Sequence, residues 1–170
     1  MTTDITISDS DLRRAASRGA DAFLELLTDR FLEAVGGTLG ADGMERLNAA
    51  QHTLLAYRIF RDELMEGGFI QLIQNGYGAY IFCNPFARSM REWGLGDLAK
   101  LVYAAKKVYD AHREELEKER TDEEFMALYE QYEEFEEPEG QFIEDEADFT
   151  QRVAEYADAH LDELICILPE

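Results

Sequence analysis

The sequence predicts an all-α protein, built as a single irregular domain of about seven helices over residues 1–170. Apolar residues recur at three- and four-residue spacing along most of the chain, which is the period of an amphipathic helix. Glycine pairs and prolines interrupt these stretches at intervals of helix length. With 170 residues, 46% of them hydrophobic, the chain is long enough to bury a core without disulfides or metal ions.

Two long helices are predicted in the first third of the chain. The stretch from Ser8 to Asp11 supplies an N-cap for a helix that continues to Ala34, with a bend at Gly19. The next helix leads into Gly67-Gly68. We expect it to end there, because glycine adopts the left-handed conformation of a helix C-cap at little cost.

The residues that follow, Gly67–Gly76, are called the glycine corner below. Its apolar residues form one compact turn, which Asn75-Gly76 ends, and we expect this turn to cross the middle of the fold. A structural corner is favoured over a binding loop. The residues predicted to define the corner are Gly67, Gly68, Phe69, Gln71, Asn75 and Gly76.

These residues, together with Glu66, resemble the glycine-glycine-phenylalanine core of a bacterial family of domains of unknown function. The characterised member of that family is an acidic DNA-mimic protein. The likeness extends from about Asp42 to Leu116 and again over the acidic C-terminal third. The resemblance implies a protein that occupies the DNA-binding surface of a transcription factor and so relieves its repression or activation.

Further helices are predicted after the corner. Residues Tyr77–Cys83 are assigned to a buried helical turn or coil, and Asn84-Pro85 starts a short helix. A longer helix follows Gly96-Asp97. Thr121 then caps a helix with Glu124 at capping-box spacing.

The last part of the chain is predicted to contain two separate helices. Phe125, Leu128, Tyr129, Tyr132 and Phe135 form the buried stripe of the helix that Thr121 caps. Pro138 and Gly140 are expected to end it. A final helix begins at about Ala147, and Ile165–Leu168 packs as an apolar tail.

Negative charge is concentrated near the C-terminus. The net charge is -21, from 37 acidic and 16 basic residues, and residues 113–170 hold 22 of the acids but only 4 of the bases. This field repels nucleic acid and anionic lipid and attracts basic proteins. We therefore expect no direct nucleic-acid partner and no membrane partner, and the lack of a leader or a membrane-length apolar run predicts a cytoplasmic protein.

Residues Glu114–Asp148, called the acidic segment below, hold 17 acids and two bases. Its acids share the chain with a buried apolar stripe, so we expect them on folded helix, with Glu123, Glu130, Glu133, Glu134 and Glu137 along much of one helix face. A ~25-residue helix spans roughly 37 Å, close to one turn of DNA. The acids predicted to replace phosphates, called the contact acids below, are Glu123, Glu130, Glu133, Glu134, Glu137, Glu144 and Asp145.

Catalytic and metal-binding patterns are not recognised. His52, His112 and His160 have no metal-ligand spacing, and the two cysteines, Cys83 and Cys166, are expected to be buried or half-buried thiols. We predict no enzyme, no cofactor and no metal site.

Three functions compete on the sequence alone. The first is a DNA mimic that binds a basic DNA-binding protein such as a transcription factor. The second is an acidic immunity or antitoxin-like protein that neutralises a basic toxin, and the third is a small-molecule-binding domain with a pocket near Gln71, Asn75, Tyr77 and Tyr80. A homodimer is compatible with each.

Overall fold

The computed structural model describes residues 5–37 and 41–169, except for the side chains of residues 41 and 42. The described chain is mostly helical, which confirms the all-α class. Seven of its ten helices have seven residues or more, and a 3-10 turn, Glu133–Phe135, separates α8 from α9. The helices are α1 (Asp9–Ser17), α2 (Ala20–Ala34), α3 (Ala41–Met44), α4 (Ala49–Gln74), α5 (Gly78–Phe82), α6 (Phe86–Glu92), α7 (Gly96–Glu117), α8 (Asp122–Gln131), α9 (Glu136–Ala159) and α10 (Leu161–Leu164).

Contacts divide the chain into two compact units. One comprises Met1–Arg58 and Thr150–Glu170, and the other comprises Ile59–Phe149. Helices α4 and α9 contribute residues to both. These contacts do not test whether the chain unfolds as one domain, so the single domain stays a prediction.

The first unit contains a parallel pair of short strands, β1 (Thr6–Ser8) and β2 (Cys166–Leu168). Ile7 is buried and is paired in register with Ile167. Strand β2 lies in the stretch that was predicted to pack as an apolar tail. Its pairing was not predicted, because three-residue strands far apart in a chain leave no local pattern.

Side-chain caps begin two helices of this unit. The Ser8 hydroxyl accepts a hydrogen bond from the amide of Asp11, as expected of the α1 N-cap. The helix predicted to bend at Gly19 is instead two helices, because Gly19 has a φ of 115° that helix cannot continue through. At the start of α4, Asn48 and Gln51 bond each other's backbone amides at 2.9 and 2.8 Å.

The second unit has an aromatic core. Phe60 lies at its centre, with ring centroids of Phe69, Phe86 and Phe142 at 5.7, 5.5 and 5.0 Å. The Phe69 ring also stacks on the Phe135 ring at 5.4 Å. The glycine corner therefore lies in the middle of this unit, since its apolar residues Phe69–Ile73 supply part of the core.

Two predicted helix ends in this unit are wrong. Helix α4 continues beyond the glycine pair to Gln74 and is only interrupted at Gly68. Helix α9 begins at Glu136 and not near Ala147, with Pro138 and Gly140 inside it. Proline is tolerated in the first turn of a helix, because the amide that it lacks has no partner there.

The predicted burial of the two cysteines is wrong, although both are free thiols as predicted. Cys83 and Cys166 are exposed free thiols, because one follows the last turn of α5 and the other lies in the exposed strand β2. None of the described helices is long and apolar enough to cross a membrane.

Candidate protein-binding surface

Gly68 gives the glycine corner its shape. Its φ of 78° and ψ of -169° lie in a region that is essentially restricted to glycine. A β-carbon at this position would lie 2.4 Å from Oε1 of Glu139. The position needs glycine for its backbone conformation, as the doubled glycine predicted, and also for the close approach of the Glu139 carboxylate.

Hydrogen bonds join the acidic segment to the glycine corner at several points, and two of them involve helices α8 and α9. The interruption at Gly68 leaves the amide of Phe69 to donate to Oε1 of Glu139 at 2.6 Å. The hydroxyl of Tyr129 donates to the carbonyl oxygen of Gly67 at 2.7 Å. Glu139 belongs to α9 and Tyr129 to α8, so these two helices are bonded to the corner on either side of Gly68.

Burial changes the titration of both groups. It raises the pKa of Glu139, although the amide of Phe69 opposes this shift and the nearby charge of Glu136 adds to it. Burial also raises the pKa of Tyr129, and the carboxylates of Glu139 and Glu63 raise it further. The tyrosine therefore stays a hydrogen-bond donor at neutral pH.

The amides of the corner have a structural use. Gln71 Nε2 donates to Glu63 at 2.9 Å, and Asn75 Nδ2 donates to both oxygens of the same carboxylate at 3.2 and 2.9 Å. Glu63 lies on α4 before the interruption at Gly68, and both amides follow it, so the bonds hold the residues on either side of Gly68 together. These amide donors are therefore engaged within the protein and not directed to a small-molecule site.

The two bases of the acidic segment, and Arg113 just before it, are paired with glutamates of the segment. Arg113 Nε lies 3.0 Å from Glu117, and Arg120 Nη2 lies 3.1 Å from Glu115, which also lies 4.0 Å from Lys118. Glu117 accepts a further bond from Tyr109, which lowers its pKa together with the contribution of Arg113. Glu115 and Glu117 therefore have cationic partners within 4.0 Å.

The contact acids comprise six free carboxylates and one bonded one. Asp145 is half-buried and accepts a hydrogen bond from Gln141 at 2.5 Å. The other six are exposed, and no described residue forms an ion pair or hydrogen bond with their carboxylates. The six free contact acids are Glu123, Glu130, Glu133, Glu134, Glu137 and Glu144.

The expectation that five of these six acids, all but Glu144, line much of one helix face is wrong. The first two lie on α8, the next two in the 3-10 turn, and the last two on α9. The backbone leaves the helical conformation at Tyr132, where φ is -118° and ψ is 60°. The acids therefore follow a helix, a turn and a second helix, and not a straight rod.

Each of the two helices still presents a pair of free contact acids on one face. Glu123 and Glu130 on α8 are seven residues apart, as are Glu137 and Glu144 on α9. Seven residues are about two turns of helix, or ~10.5 Å of rise. That distance corresponds to about three steps of a DNA strand at ~3.4 Å each.

Sequence reasoning missed the residues that fix this surface. Glu139 was counted only as charge, and neither Glu63 nor the hydroxyl of Tyr129 was assigned a role. The glycine pair gave a partial signal for an acceptor such as Glu139, since a glycine whose φ is positive interrupts the helix and leaves the next amide without a backbone partner. Which carboxylate supplies it depends on contacts across 70 residues, which the sequence does not show.

Each of the three histidines contacts other residues of the protein, and the His112 ring lies 5.1 Å from the Tyr132 ring. His52 Nε2 lies 2.7 Å from the carbonyl oxygen of Met44, and the His160 ring stacks on the Tyr156 ring at 3.9 Å. In the residues that the structure describes, no group of three or more metal-ligating side chains is close enough to hold an ion.

Comparison with known proteins gives two findings. A family model described as DMP19-like protein matches residues 45–160, which include both the glycine corner and the acidic segment. The chain is also 37% identical over 124 residues to a protein of Neisseria meningitidis serogroup B named DNA mimic protein DMP19. The alignment covers 72% of this chain and 74% of that relative. The chain belongs to the DMP19-like family.

Proposed function

We propose that this protein is a DNA mimic that binds the DNA-contacting surface of a basic protein, and that its partner is a transcription factor. The contact acids occupy the positions of phosphates, and Arg and Lys side chains of the partner form charge-assisted hydrogen bonds with them. Binding removes the partner from its DNA and so relieves the repression or activation that it exerts. This role is non-enzymatic and is placed in the cytoplasm.

The observation that carries the proposal is the attachment of the free contact acids to the glycine corner. Tyr129 bonds the helix that carries Glu123 and Glu130, and Glu139 bonds the helix that carries Glu137 and Glu144. A preformed array of charge loses less conformational entropy on binding than a flexible acidic tail does. The name of the Neisseria relative supports the same function.

The test begins with capture of partners on immobilised protein from a lysate of the native cells. We expect double-stranded DNA of mixed sequence to elute a basic DNA-binding protein, because the two polyanions compete for one surface. The eluted protein is then purified and bound to its own DNA in a mobility-shift assay. We expect the free chain to release that DNA, less effectively as salt is raised.

A pair of matched variants makes this test specific. Glu130→Gln, Glu133→Gln and Glu134→Gln together change the net charge from -21 to -18, and we expect them to abolish competition. Glu25→Gln, Glu45→Gln and Glu66→Gln make the same change at exposed glutamates outside the acidic segment and should compete like wild type. Equal competition by the two triple variants would contradict the proposal.

The same experiment separates the competing functions. A captured basic toxin that DNA does not elute would favour the immunity-like function. Sedimentation equilibrium of the free protein measures the homodimer, which stays a prediction.

A further inference from the structure

Met126 is the most exposed of the large apolar side chains that the structure describes, with 64% of its surface accessible. It lies on α8, three residues after Glu123 and four before Glu130. Residues at this spacing share one face of a helix. An apolar side chain therefore stands between two free contact acids.

Packing does not require a methionine here. The opposite side of α8 supplies the buried contact through Leu128, with Phe125 and Tyr129 half-buried beside it. Glutamine, lysine and glutamate favour helix about as well as methionine does. On a surface this acidic, any of them would be expected at a position that serves only solubility.

We propose that Met126 is an apolar contact at the centre of the α8 face that carries Glu123 and Glu130, called the acid face below. It packs on an apolar side chain displayed between two cationic ones on the partner protein. This inference rests on the proposed function. The partner is basic, because an apolar surface without charge would leave Glu123 and Glu130 to be desolvated without compensation. Its arginines or lysines pair with the two glutamates on either side of the contact.

DNA-binding proteins already carry such surfaces. They contact the methyl group of thymine with apolar side chains, beside arginines and lysines that contact phosphates. The thioether of methionine is flexible and polarizable, so it adapts to apolar side chains of different shapes. Met126 thus offers the apolar part of the surface that a row of carboxylates lacks.

The contact predicts a distinct salt dependence. Ion pairs on an exposed face weaken as salt screens them, at a Debye length of ~8 Å in physiological salt. Burial of an apolar side chain is not screened in this way. The share of the affinity that depends on Met126 should therefore increase as salt is raised.

Two synthetic helical peptides of equal charge serve as probes. Both carry arginines seven residues apart. One has leucine between them, and the other has glutamine at that position. Their dissociation constants for the full chain are measured by fluorescence anisotropy at low salt and at about physiological ionic strength. We expect the leucine peptide to bind wild type roughly fivefold to tenfold more tightly than the glutamine peptide at the higher salt.

Met126→Gln should remove this difference between the peptides. Met65→Gln is the matched control, because Met65 is also exposed, at 44%, but lies on α4 outside the acid face. It should leave the difference unchanged. An undiminished preference for leucine in Met126→Gln, or no preference or no binding in wild type, would overturn the inference.

A further variant separates this inference from the proposed function. Glu123→Gln with Glu130→Gln removes the charges but keeps the methionine, and it should weaken both peptides alike. If that variant loses both peptides while Met126→Gln keeps the leucine preference, the charge mimicry stands and the apolar contact fails. If it binds both peptides as wild type does, the acid face is not a charge-binding surface.

Discussion

Glu139 lies half-buried under the glycine corner, whereas Glu137, two residues earlier in the same turn of α9, extends into solvent. The carboxylate of Glu139 accepts a hydrogen bond from the amide of Phe69. No described residue forms a hydrogen bond or ion pair with the carboxylate of Glu137. One residue type thus serves two regions of the molecule, the corner that fixes the backbone and the surface that faces outward. Position, and not composition, decides which glutamates are available to a partner.

The acidic segment as a whole shows the same division. Glu115, Glu117 and Glu124 are bonded to bases or to a helix cap, and Glu146 pairs with Arg61 at 3.1 Å. The formal charge of the segment therefore overstates the number of carboxylates that can replace phosphates. The free contact acids lie between these bonded positions along the chain. The bonded carboxylates therefore fix the backbone that carries the exposed ones.

The largest effect is expected from Gly68→Val. The valine would occupy a backbone conformation that is restricted to glycine and would displace the carboxylate of Glu139. We expect a loss of roughly 3–4 kcal/mol in the free energy of unfolding, measured with urea. Gly76→Val is the control, because Gly76 has a φ of 91° but nothing within 4 Å of its β-position.

The control should lose only about 1–2 kcal/mol, the cost of the left-handed conformation alone. Equal losses at the two positions would show that contact with the acidic segment adds nothing at Gly68. A thermal midpoint of Gly68→Val near that of wild type would contradict the central role of the glycine corner in the stability of its unit.

The second prediction contrasts the two glutamates of α9. Glu139→Ala leaves the amide of Phe69 without its acceptor, which should cost about 1–2 kcal/mol of unfolding free energy. Glu137→Ala changes an exposed side chain and should cost less than about 0.5 kcal/mol. Urea unfolding of the two variants measures the difference, and similar losses would contradict the assignment of Glu139 to the corner.

The pH dependence sharpens this contrast. Burial raises the pKa of Glu139 above the ordinary value of 4.5 that it regains on unfolding. The folded chain therefore takes up this proton first as the pH falls. The stability that the neutral carboxyl of Glu139 contributes is fully present below pH 4.5 and is lost as the pH rises through the raised pKa.

Glu139→Gln isolates this group from the other acids. Glutamine keeps an oxygen for the amide of Phe69 but does not titrate, so we expect the variant to be at least as stable as wild type at neutral pH. The free energy of unfolding of wild type should increase relative to that of the variant as the pH is lowered towards 4.5. An advantage of the variant that grows on acidification would show that the carboxylate form is the one that the fold stabilises.

Local signals in the sequence predicted the corner and the capped start of α8. Paired glycines mark a backbone that other residues cannot adopt, and the reciprocal bonds of Thr121 and Glu124 form as their spacing predicts. The interpretation failed where the same residue has two uses. Pro138 was taken as a helix breaker, but proline within the first turn starts a helix as readily as it ends one.

Distant contacts account for the rest. The parallel strands pair residues from opposite ends of the chain, and Glu139 reaches an amide 70 positions away. Neither contact leaves a periodic pattern. The sequence could therefore predict where acidic residues are concentrated, but not which of their carboxylates are hydrogen-bonded or ion-paired within the protein.

The smallest effect comes from two free contact acids at opposite ends of α8. Glu123 lies in the first turn, where a negative charge interacts favourably with the helix dipole, and Glu130 lies in the last turn, where it does not. We expect Glu123→Gln to lower the unfolding free energy by about 0.3–0.5 kcal/mol, and Glu130→Gln to raise it by a similar amount. Differential scanning calorimetry at low salt measures both shifts.

The effects of the two substitutions on partner binding should not have the opposite signs of their effects on stability. If both carboxylates replace phosphates, each substitution should weaken the arginine peptide with central glutamine by a similar factor, although one variant is more stable than wild type and the other less. A surface that serves only solubility has no reason to keep a glutamate that opposes the helix dipole, since glutamine or lysine would serve as well at Glu130. Loss of affinity together with a gain in stability at Glu130 would therefore identify this carboxylate as one kept for a partner. Unchanged affinity would assign Glu130 to the solvated surface and leave Glu123 as a helix-stabilising residue alone.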